Sequence, residues 1–134
     1  MCNQNSDNAK HIVMEFFSIY TSREYDKIPS LIDPDYRDNS PAQARSPGDV
    51  VRILKVVADI FPDLSCEILD IFGENGDVAV RLAFSGTHSG TYADVPASGK
   101  FISWEALENF RVRNDKIIES WGYWPDSEML KQMK

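Results

Sequence analysis

At 134 residues the chain has room for one domain, because a chain of this size buries roughly two thirds of its unfolded surface around a single core. A composition of 43% hydrophobic and 26% charged residues excludes a disordered or fibrous protein. The formal net charge of -7, with no basic stripe, argues against nucleic acid and anionic membranes as partners, since both are bound through clustered Lys and Arg.

Residues 1–8 are polar and read as a frayed or disordered end, followed by a single domain over 9–134. Neither a signal peptide nor a membrane span is expected from this start, and a cytoplasmic protein is. From Asp7 to Tyr20, the apolar residues Ile12, Val13, Phe16, Ile19 and Tyr20 recur every three or four positions, which predicts an amphipathic helix. A short second helix carries Tyr25, Ile28, Leu31 and Ile32, and Asp33-Pro34 ends it, because proline disfavours helical backbone in the residue before it. A third helix starts at Ser46-Pro47-Gly48-Asp49, with Ser46 as cap, Pro47 at the first helical position and Asp49 completing a capping box. Its broad apolar face runs from Val50 through Leu54 to Phe61, and Pro62 closes it.

Beyond Pro62 the period changes to two. Leu64, Cys66, Ile68 and Phe72 form one face of a strand, and Glu74 to Asp77 form a turn. The next strand points Val78, Val80, Leu82, Phe84 and His88 one way, and Ala79, Arg81, Ser85 and Thr87 the other. Phe101–Arg113 and Lys116–Trp124 make a hairpin around Asn114-Asp115, and Pro125-Asp126 opens a final short helix. Three helices followed by a long antiparallel sheet define an α+β class, not the βαβ alternation of a nucleotide-binding fold. There is no glycine-rich phosphate loop and no zinc-ligand spacing. Cys2 and Cys66 show no disulfide or metal pattern, and Cys66 reads as core.

Several ordered pieces resemble the SnoaL-like cyclases of the ketosteroid-isomerase-like superfamily, from about Ala9 to Met133. They are Tyr36-Arg37-Asp38-Asn39-Ser40-Pro41, Phe61-Pro62-Asp63-Leu64, Gly86-Thr87-His88-Ser89-Gly90, Ser98-Gly99-Lys100, Phe110-Arg111-Val112 and Lys116 to Trp121. The resemblance implies a strongly curved sheet around the helices, a pocket on its concave side, and pairing of two copies through the convex face. It also implies acid–base chemistry on a small apolar ligand without metal or organic cofactor. In the cyclases an aspartate four residues after the tryptophan of Glu-x-Trp moves protons; four residues after Trp121 stands Pro125, with Asp126 one further on. Asn39 stands where many relatives have histidine, and an amide orients a carbonyl but moves no proton near neutral pH.

Glu108 shares strand parity with Trp104, Ala106, Phe110 and Val112, so it is expected to enter the pocket as the base, its pKa raised by desolvation. The alternative pairs it with Arg81 or Arg111 on the other face. His88 is either a second acid–base group or a turn residue holding the following loop. Asp126 is either catalytic through a bulge or a helix cap. The pocket wall is expected to draw on Phe16, Tyr20, Tyr36, Leu54, Phe84, Trp104, Trp121 and Tyr123, with Asn39 or Tyr36 orienting a ligand oxygen. The expected activity is isomerisation, cyclisation or hydration of a small apolar carbonyl or polyketide-like compound. A binding module without chemistry and a dimeric accessory domain are the alternatives, because the fold fixes no reaction.

Overall fold

The computed structural model describes residues 3–134. Helix α1 runs from Asn3 to Ser22, so residues 3–8, expected to fray, are helical; the expectation for Met1 and Cys2 lies outside the described residues. A 3-10 turn at Tyr25–Lys27 leads into the four-residue helix α2, Ile28–Leu31. Helix α3 spans Pro47–Ile60, and its Ser46 cap accepts from the Asp49 backbone N–H as expected. The Asp49 carboxylate closes the box one residue further back, on the Arg45 N–H at 2.9 Å. No helix among the described residues is long and apolar enough to cross a membrane.

Five strands, β1 (Ile32–Asp38), β2 (Ser65–Glu74), β3 (Asp77–Thr87), β4 (Phe101–Arg113) and β5 (Lys116–Tyr123), form one mixed sheet in the order β1-β5-β4-β3-β2. Only the β1–β5 pair is parallel. Helix α4, Asp126–Met133, closes the chain against β4. The two hairpin turns carry the left-handed backbone that such turns demand, with φ of 54° and 83° at Asn75-Gly76 and 53° and 63° at Asn114-Asp115. At Gly76 a side chain has no room: a Cβ would lie 2.8 Å from the Val112 carbonyl oxygen.

Strand β1 is hidden in the sequence because Ile32 continues a helical apolar pattern and Pro34 comes next but one. Pro34 is tolerated because β1 is an edge strand, and its pairing with β5 is interrupted between Ile32 and Arg37, where the missing N–H costs no ladder bond. In β2 the register shifts between Ile68 and Asp70. That one-residue bulge reverses the facing of the residues beyond it: Ile71 packs on the core, while Phe72, expected on the inner face, is 68% exposed. The core fills the space between the sheet and α1, with Phe17 edge-on to Phe110 of β4 and Phe16 tilted against the same ring. Cys66 packs against this core, and burial pushes its thiol up to about 12, which keeps it an inert thiol.

Candidate active site

A cavity of about 320 Å³ opens between the inner face of the sheet and helices α1 and α3. Phe16 and Tyr20 enter from α1, Tyr36 and Asp38 from β1, Leu54 from α3, and Glu108 from β4. The sequence places them by period: Phe16 and Tyr20 are one helical turn apart, and Tyr36 and Asp38 are two residues apart on a strand. Glu108 sits between Val80 of β3 and Gly122 of β5 in the ladder. Gly122 is what allows this, since a Cβ there would lie 2.8 to 2.9 Å from three Glu108 side-chain atoms.

The Glu108 carboxyl accepts one hydrogen bond, from Trp124 Nε1 at 3.4 Å. Burial is the main cause that raises its pKa from 4.5 to about 7; the Trp124 bond acts against the rise, and the neighbouring Asp38 charge adds to it. Glu108 is half-buried, and it lines the cavity. Neither arginine considered as its partner reaches it: Arg81 bonds Asp70 and Glu105, and Arg111 bonds Asp77 and Glu119, all on the convex face.

Burial, with Glu108 second, holds the Tyr20 phenol well above its ordinary pKa, so it stays a neutral donor. The Tyr36 hydroxyl lies 2.5 Å from Ser120 Oγ, and burial likewise raises its pKa. Asp38 is 7% exposed, but its carboxylate is occupied by the Ser40 N–H and hydroxyl and by the Ala44 N–H, which fold residues 38–44 along the cavity. At the mouth, Tyr92 donates its hydroxyl to Asp126, and both groups line the cavity.

Not every expected residue lies in this wall. Asn39 points outward, its amide donating to Glu119 Oε2 at 3.0 Å and to the Ser120 carbonyl at 3.1 Å, so it orients no ligand oxygen. His88 is 0% exposed beneath Phe61 and away from the cavity. Its Nδ1 accepts from the Ser98 N–H and lies 2.8 Å from Ser98 Oγ, so it ties residues 98–100 to the end of β3 and is not a second acid–base group. Asp126 is the first residue of α4 and makes no cap bond. Strand β5 ends at Tyr123, so the parity that would have turned Asp126 away no longer operates.

Trp121 lies on the convex face, 5.2 Å from the Arg111 guanidinium, because β5 places Ile118 as an extra residue between the Val112–Ile117 and Arg111–Glu119 pairs. Counted from Ile117, plain alternation sends Trp121 inward; the bulge sends Ser120, Gly122 and then Trp124 inward instead. Tyr123 stays at the rim, its hydroxyl donating to the Asn39 carbonyl at 3.2 Å. Phe84 and Trp104 stack one layer behind the cavity, and Trp124 rests on both at 5.0 and 5.2 Å. Sequence reading misses Asp38, Tyr92 and Trp124 as lining residues; for Asp38 the Tyr36 parity is the available signal, and for the other two there is none. Among the described residues no group of three or more His, Cys, Asp or Glu is placed to hold a metal ion.

A mixed sheet wrapped on helices, with an aromatic cavity and a buried carboxyl, defines a pocket domain of the cone-shaped α+β class. The profile of the SnoaL-like polyketide cyclase family matches residues 11–133, and the chain belongs to that family. Among solved structures, TsrD from Streptomyces laurentii superposes with a TM-score of 0.87 at 21% identity, over 95% of each chain. IdmH from Streptomyces antibioticus, provisionally assigned as a polyketide cyclase, gives 0.83 at 24% identity over 93% of this chain and 97% of its own. AclR from Streptomyces galilaeus, provisionally assigned as a hydroxylase, gives 0.82 at 25% identity over 96% of both chains. No curated protein sequence matches the chain.

Proposed function

We propose that this protein is an acid–base catalyst that isomerises, cyclises or hydrates a small apolar carbonyl or polyketide-like compound, with Glu108 as the group that takes and returns the proton. The observation that carries this reading is the Glu108 carboxyl in the cavity wall, raised by burial to about 7. A carboxyl balanced there is present in both forms near neutrality, which is what a proton shuttle requires. In this reading Glu108 removes a proton from carbon next to the ligand carbonyl, while the Tyr20 or Tyr36 hydroxyl donates to the enolate oxygen. The same carboxyl then returns the proton at another position. The open cavity supports this over an accessory domain whose pocket is filled by its own aromatics, and the ionisable Glu108 supports it over a purely binding module.

The test is exchange of the α-protons of 2-tetralone into D2O, followed by NMR. The expected rate rises with pH through an apparent pKa of about 7. Glu108→Gln slows it by a factor on the order of 100 or more while quenching of tryptophan fluorescence still reports binding. Unaltered exchange in the variant would remove Glu108 from this role.

A further inference from the structure

We propose that the natural ligand of this cavity carries a protonated amine, held among the cavity's carboxylates and aromatic side chains. Carboxylate residues line the cavity from three separate elements, Asp38 on β1, Glu108 on β4 and Asp126 on α4, and among the described residues no Lys, Arg or His lines it. Arg45, whose charge is felt at Tyr36, is spent on the backbone carbonyls of Asp38 and Ala44 at 2.8 and 3.0 Å. Asp38 and Asp126 have internal partners, whereas Glu108 has only the long bond from Trp124. A buried carboxylate without a counter-ion is destabilised until a cation is supplied. Tyr20, Tyr36 and Trp124 line the same cavity, and aromatic rings attract cations most strongly where water is excluded, which supplies the second half of an ammonium site. A ligand carboxylate would meet like charge from all three elements.

The groups facing Glu108 are Tyr20 from α1, Tyr36 and Asp38 from β1 and Cys66 from β2, with no basic group among them; α3 presents only apolar side chains, and Tyr92 and Asp126 stand at the mouth. A cation a few ångströms away stabilises the ionised carboxylate without a direct contact. An amine-bearing substrate therefore puts Glu108 into its basic form as it binds. The inference rests on the reading above only in taking this cavity as the ligand site.

The experiment compares three probes on one skeleton, 2-aminotetralin, 2-tetralol and tetralin-2-carboxylate, by calorimetry with the whole chain. At about pH 8 the amine is expected to bind at least about tenfold more tightly than the alcohol, and the carboxylate more weakly than either. Below the Glu108 pKa of about 7, the amine must displace a proton, so its affinity falls by up to about tenfold per pH unit and binding releases protons to the buffer. The alcohol shows neither effect. Glu108→Gln is expected to abolish the proton release, and the wild-type pH series reads the same linkage if that variant folds poorly. Equal or tighter binding of the alcohol at about pH 8, or no binding of the amine, overturns the inference. Amine preference without 2-tetralone exchange sinks only the catalytic reading, and exchange without amine preference sinks only this one.

Discussion

Replacing Glu108 by glutamine is expected to make the protein more stable while removing its activity. The folded protein holds the Glu108 proton more tightly than the unfolded chain, with the pKa raised from 4.5 to about 7. Folding stability therefore falls as pH rises between those two values and stays reduced above them. Each pKa unit corresponds to about 1.4 kcal/mol, so the ionised carboxylate costs the fold roughly 3 kcal/mol at about pH 8, an upper bound because the cavity admits some water. Glutamine keeps the shape and an oxygen for the Trp124 N–H, and it carries no charge to bury. Urea unfolding of both proteins is the assay, at about pH 4, where Glu108 is mostly protonated in both states, and at about pH 8. The difference should be small at the lower pH and grow to between about 1 and 3 kcal/mol, or several degrees in Tm, at the higher one. A difference that does not change with pH, or a less stable variant at about pH 8, would refute the claim that burial without a counter-ion sets this carboxyl's pKa.

Two further substitutions probe the same geometry. Gly122→Ala puts a Cβ within 2.8 Å of the Glu108 carboxyl. It should cost about 1–3 kcal/mol in urea unfolding and displace the carboxyl, slowing 2-tetralone exchange; an unchanged rate would mean that Gly122 does not position Glu108. His88→Ala removes a fully buried ring and its bonds to Ser98, and should lose on the order of 2–4 kcal/mol. Exchange per folded molecule, and its pH profile, should be unaffected, and a shifted profile would return His88 to the catalytic machinery.

Much of this protein is dictated by local pattern. The 3.6-residue period gives α1 and α3, Asn75-Gly76 and Asn114-Asp115 give the hairpin turns, and Ser46 gives the start of α3. Glu108 is readable as a pocket residue because β4 alternates without interruption from Ile102 to Phe110, so one apolar face fixes the direction of every side chain along it. The hidden features lie where alternation breaks or where distant segments meet. The extra residues in β2 and β5 reverse the facing of Phe72 and Trp121, and no local propensity announces a bulge. Strand β1 exists because β5, more than 80 positions away in the chain, offers it a parallel partner that joins Asn39 to Ser120. Tyr92 meets Asp126 for the same kind of reason, across 34 positions. Side-chain period is a property of a few neighbouring residues and can be read from them; the register of a sheet and the assembly of a cavity mouth are set by packing between remote segments, so the carboxyl was determined by the sequence and its surroundings by the tertiary structure.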